Sequence, residues 1–128
     1  MSGYKPIEAK KKRPFEVLRK CQTLDAMLCN ATVKADKGYR FTLVKYTQEL
    51  CHELIHTTRR ANSMERGSIE RATEMNNGME LCEKVIDMLP VLRDTRCISV
   101  GEMGELDKFV SSIKYFYSGW IKSTGTIE

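Results

Sequence analysis

Two histidines and the glutamate between them pose the first chemical question. His52-Glu53-Leu54-Ile55-His56 is a literal HExxH. At this spacing two imidazoles one helical turn apart bind a single Zn²⁺, while the intervening carboxylate deprotonates a metal-bound water. The chain has only these two histidines and no HxxGxxH continuation, so a third ligand would be a carboxylate such as Glu74 or Glu80. Lys45 lies seven residues before His52 and Arg59 seven after it, which puts two cations on the same helical face. Cations disfavour a bound dication and offer no carboxylate to orient the imidazoles. The expectation is therefore no metal, no cofactor and no catalytic residue here, with a minimal zinc peptidase kept as the rival.

Other chemistry is sparse. No P-loop, GxGxxG, GxSxG or EF-hand loop occurs. The five cysteines (Cys21, Cys29, Cys51, Cys82, Cys97) are odd in number and form no CxxC, which fits unpaired thiols in a reducing cytoplasm. The N-terminal residues lack the apolar stretch of a secretory signal, and no segment approaches the ~20 apolar residues of a membrane span. The expectation is a cytoplasmic protein with no membrane partner. Met64, Met75, Met79, Met88 and Met103 read as adaptable core filler.

The elements that position these residues follow from periodicity. With 128 residues, 41% of them hydrophobic and 30% charged, the chain suffices for one domain. Residues 1–13 read as a flexible basic arm, 14–124 as the domain and 125–128 as a tail. After Pro14, apolar residues recur at spacings of three and four through Phe15, Leu18, Cys21, Leu24, Leu28 and Ala31. A second stripe runs through Leu43, Thr47, Leu50, Leu54, Thr58 and Ala61. The third comprises Ile69, Ala72, Met75, Met79, Cys82, Ile86 and Leu89, in a helix that Pro90 should kink or end. Ser99-Val-Gly-Glu102 has the form of a capping box. The last stripe is Met103, Leu106, Val110, Ile113, Tyr117 and Trp120. No segment alternates with period two, so the predicted fold is all-α, an antiparallel up-down-up-down four-helix bundle.

Charge is distributed unevenly along these helices. Residues 1–66 carry 14 Lys/Arg against 7 Asp/Glu, and residues 67–128 carry 7 against 10. On the second helix the apolar stripe centres near Leu54 and Thr58, so Lys45, His52, His56 and Arg59 face outward. A rigid face of cations suits phosphate contact. Lys45, His52, His56 and Arg59 are thus either a basic stripe for phosphate contact or a plain solvated helix face. Tyr115, Phe116, Tyr117 and Trp120 read first as core packing, but four aromatics within six residues exceed what one stripe requires, which makes that end of the last helix also the candidate subunit interface.

Two stretches together resemble a known family. Lys37-Gly-Tyr-Arg40-Phe-Thr-Leu43 resembles the K-x-x-R-F/Y-T-L helix opening of small bacterial four-helix-bundle proteins. That group comprises the 23S rRNA intervening-sequence proteins and the accessory variability determinant (Avd) of diversity-generating retroelements. Tyr117-Ser-Gly-Trp120-Ile-Lys-Ser123 is similar to their closing G-G-W-(I/L)-x-S element, and Arg60-Ala61 and Arg71-Ala72 agree with the intervening pattern. Val44 stands where a Gly often follows the Leu, and Ser118 replaces the first Gly of the pair. The resemblance covers roughly residues 14–124. It implies a cytoplasmic, non-enzymatic homopentamer with a basic nucleic-acid-binding surface, for which Lys37, Arg40, Lys45, His52, His56, Arg59 and Arg60, supplemented by Lys10, Lys11, Lys12 and Arg13, are the candidate residues. For the retroelement members it implies partnership with reverse transcriptase and template RNA in error-prone cDNA synthesis. For the intervening-sequence members it implies binding to a ribosomal RNA insertion.

Overall fold

The computed structural model describes the backbone of residues 4–124 and the side chains of residues 16–123. The order is α1 (Tyr4–Ala31), a single turn α2 (Lys37–Tyr39), a π-helical turn (Arg40–Val44), α3 (Lys45–Ser63), α4 (Ile69–Asp94) and α5 (Val100–Thr124). The described residues contain no strand. The four long helices pack in a ring, α1 against α3 and α5, and α4 against the same two. The short connections over residues 32–36, 64–68 and 95–99 make successive long helices antiparallel. The chain is an all-α four-helix bundle.

α1 begins at Tyr4, ten residues ahead of the start expected at Pro14. Pro6 occupies the first turn, where a missing N–H costs nothing, and Pro14 sits inside the helix. The expected arm therefore overlaps the backbone of α1. The side chains of Lys10, Lys11, Lys12 and Arg13 lie outside the described residues.

One core runs the length of the bundle. α1 contributes Val17, Cys21, Leu24, Leu28 and Ala31; α3 contributes Leu50, Cys51, Leu54 and Ala61; α5 contributes Leu106, Val110, Ile113, Tyr117 and Trp120. Thr47 and Thr58 sit fully inside the α3 stripe because each hydroxyl donates to the carbonyl four residues back, Leu43 and Leu54, at 2.8 Å. In α4 the buried line is Arg71, Met75, Gly78, Cys82, Val85, Leu89 and Leu92, with Leu81 buried beside it, which corrects the expected stripe. Ile69 is exposed, and Met79 and Ile86 are half-buried. Apolar residues wrap most of α4, so periodicity alone did not select its inner face. Pro90 does not end α4, which continues to Asp94. So late in the helix, its missing N–H removes one intrahelical bond.

The ends are well determined. The capping box forms as read: Ser99 N–H donates to Glu102 Oε1 at 2.8 Å, and Glu102 N–H to Ser99 Oγ at 3.0 Å. Lys34 reaches across from the α1 exit to the same carboxylate at 3.0 Å. These contacts, the Ser99 amide first and the Lys34 ammonium next, hold the Glu102 carboxyl below its ordinary range. α4 closes in a Schellman turn, with Arg96 N–H on the Arg93 carbonyl at 2.9 Å and Cys97 N–H on that of Leu92 at 2.8 Å. Arg96 occupies the left-handed position (φ 66°) that such turns usually give to glycine.

Candidate nucleic-acid interface

The outward face of α3 is arranged as its period requires. Lys45, His52, His56 and Arg59 are all exposed on it. Their charges, however, are not equally available. His52 Nε2 lies 3.0 Å from Asp25 Oδ2 of α1. Arg60 turns to the α4 side, where its guanidinium bonds Glu74 at 2.7 Å and Glu53 at 3.1 Å. These two carboxylates raise its pKa. A cation already answered by two carboxylates contributes little counterion release, so Arg60 is the weakest member of the expected set. Lys45, Arg59, Lys37 and Arg40 form no ion pair among the described residues.

This pairing also bears on HExxH. Glu53 projects away from the two imidazoles and is held by Arg60, while Asp25 holds His52. Glu74, one of the carboxylates considered as a third ligand, is likewise taken by Arg60. The described residues contain no cluster of three or more His, Cys, Asp or Glu side chains placed to hold a metal ion.

A feature absent from the sequence reading is the π-helical turn. Its i→i+5 bonding places residues four and five apart over each other. Arg40, Phe41, Val44 and Lys45 consequently line one cleft of about 500 Å³, with Cys29, Thr32 and Val33 from the α1 end and Gln48 from α3 forming the rest. Arg40 Nη2 donates to the Val33 carbonyl at 2.9 Å, which anchors the guanidinium at the rim and leaves its other donors free. Thr42 Oγ1 donates to the Gly38 carbonyl at 2.9 Å and steadies the turn. No carboxylate lines the cleft. Gln48 donates to Cys29 Sγ at 3.5 Å on its wall. Cys29 is the one exposed thiol among the five, and partial burial, followed by the nearby Asp25 carboxylate, raises its pKa. It is not an activated nucleophile.

The expected subunit interface needs correction. Tyr117 and Trp120 are completely buried within the single chain, ring centroids 5.3 Å apart in an edge-to-face contact. The Tyr117 hydroxyl lies 2.7 Å from Thr58 Oγ1. Since the Thr58 proton is committed to the Leu54 carbonyl, Tyr117 is the donor. The Arg71 guanidinium covers the Trp120 ring at 5.6 Å and donates to the Met64 carbonyl at 2.7 Å. Phe116 is half-buried beneath the ammonium of Lys20, 5.1 Å from its ring centre. Of the four aromatics only Tyr115, 78% exposed, remains open to a partner. An aromatic at every third or fourth position is core, and only Tyr115 falls outside that period.

No described helix is long and apolar enough to cross a membrane. Comparison with family models, curated proteins and solved structures finds no match to this chain.

Proposed function

We propose that this bundle is a non-catalytic RNA-binding accessory of a diversity-generating retroelement, a partner of its reverse transcriptase and template RNA in mutagenic cDNA synthesis. The reading includes action as a homopentamer in the cytoplasm. The observation that carries the RNA-binding part is the set of cations without carboxylate partners among the described residues, Lys37, Arg40, Lys45 and Arg59, at the opening and along the outward face of α3. Rigid cations of this kind release counterions when they meet phosphates. The retroelement context rests on the helix-opening and Gly119-Trp120 resemblances. The same resemblances support the alternative, a protein encoded in an rRNA intervening sequence. A neighbouring reverse-transcriptase gene with a template and variable repeat favours the first, and location within a ribosomal RNA gene favours the second.

The test is salt-dependent RNA binding. Replacing Arg40, Lys45 and Arg59 together by Ala should weaken binding and reduce the slope of log K against log salt by about 2, at ~0.7 per single-strand phosphate contact. An unchanged slope removes this face from the proposal. Co-purification with the reverse transcriptase tests the partner independently.

A further inference from the structure

We infer that the cleft beside the π-turn is a seat for one unpaired nucleotide of a single-stranded RNA, its base stacked on Phe41 and its phosphate held by Arg40 and Lys45. The inference rests on the RNA-binding reading above and adds a subsite and a discrimination to it. Phe41 is 67% exposed and Val33 68% exposed, beside two cations that have no carboxylate partner among the described residues. An apolar ring and free cations in one concave site match the two halves of a nucleotide, since every base offers a π-face and every linkage a charge. About 500 Å³ lies within the size range of small-ligand sites. Gln48 supplies a polar group at the wall for the edge of a base.

Geometry favours the single strand over a duplex and over a two-fold pairing of this face. A paired base in an A-form duplex exposes no face to Phe41, so the site reads single strands. A second copy docking face to face would set Arg40 and Lys45 against their own equivalents, with no carboxylate in the cleft to compensate. The cleft also opens at Lys45 onto the face that continues to Arg59, 14 residues and ~21 Å farther along α3, which gives a bound chain a continuing path.

The experiment measures anisotropy of labelled single-stranded oligouridine and of an RNA duplex with the full chain, over 50 to 200 mM salt. F41A should weaken single-strand binding about tenfold, with the salt slope and the duplex affinity unchanged, and F41W should restore it. Oligouridine should also protect Cys29, on the cleft wall, from maleimide. Thermal unfolding of F41A should match the parent because the ring lies at the surface. Undiminished single-strand affinity of F41A, in a protein that does bind RNA, overturns the pocket and leaves the RNA-binding reading standing. Absence of RNA binding by the parent chain overturns both. Saturable competition by free uridine monophosphate at concentrations that leave the duplex bound would assign the cleft to a soluble nucleotide instead. An F41A-dependent fall in molecular mass would assign it to self-association.

Discussion

Gly78→Ala sets two effects of comparable size against each other, and the structure decides the sign. Alanine is a better helix former than glycine by about 0.8–1.0 kcal/mol, so on propensity the variant gains stability. A Cβ at this position, however, would overlap Cζ and Oη of Tyr117 and lie 2.6 Å from Cε1. The ring cannot swing aside. It is fully buried, its hydroxyl is bonded to Thr58 at 2.7 Å, and its edge packs on Trp120 at 5.3 Å. Overpacking costs ~1–3 kcal/mol, and with three ring atoms inside contact distance the upper half of that range applies. The net loss is about 1–2 kcal/mol, or roughly 4–7 °C in Tm for a domain of this size. Circular dichroism during urea and thermal unfolding measures it. In a Tyr117→Leu background the same Gly78→Ala should become neutral or stabilising, a coupling of at least ~1 kcal/mol in a double-mutant cycle. A Gly78→Ala variant as stable as the parent, or more so, refutes the close approach of α4 and α5 on which the reasoning stands.

Three further outcomes follow from the packing and the helix ends. A thiol reagent at neutral pH should titrate one cysteine, Cys29, in the native protein and five after unfolding; burial pushes Cys21 to about 11 and Cys82 to about 12, and Cys51 and Cys97 are also enclosed. Two or more fast thiols in the folded state would contradict that core. Glu102 is held below its ordinary 4.5, so its contribution is complete above that pH and is lost as pH falls through the lower folded value. Glu102→Gln should flatten the acid limb of the stability curve below pH 4.5. The glutamine keeps an oxygen for the Ser99 N–H, so the same substitution should cost only the charge, ~0.3–1 kcal/mol at neutral pH, and an acid limb identical to the parent's would exclude this carboxylate. Arg96→Gly relieves a left-handed arginine, a gain of ~1–2 kcal/mol offset by glycine's extra chain entropy of ~0.5–1. A modest rise in urea midpoint is expected, and a fall would mean that the Arg96 side chain makes a stabilising contact.

The all-α class, the four long helices, the Ser99–Glu102 cap and the outward direction of Lys45, His52, His56 and Arg59 were legible from local order. Helical period and capping chemistry act over three to seven residues, so a single stretch of chain contains the signal. α4 was read less well because Ile69, Met79, Ile86 and Val91 spread apolar surface around the helix, and packing against α3 and α5 chose the inner line.

The candidate site shows the same division. Residue types and spacing determined by themselves that α3 carries an outward row of histidines and cations. Only the tertiary structure decided which charges remain available, because Asp25 and Glu74 reach His52 and Arg60 from other helices. The π-turn belongs to that second category. Nothing in Lys37-Gly-Tyr-Arg40-Phe-Thr-Leu43 marks a change of winding, and the i→i+5 turn occupies Arg40–Val44, between α2 and α3. Phe41 was thereby turned to a cleft whose wall closes where Gln48 of α3 meets Cys29 of α1, a juxtaposition across 19 positions that no local stretch of chain contains.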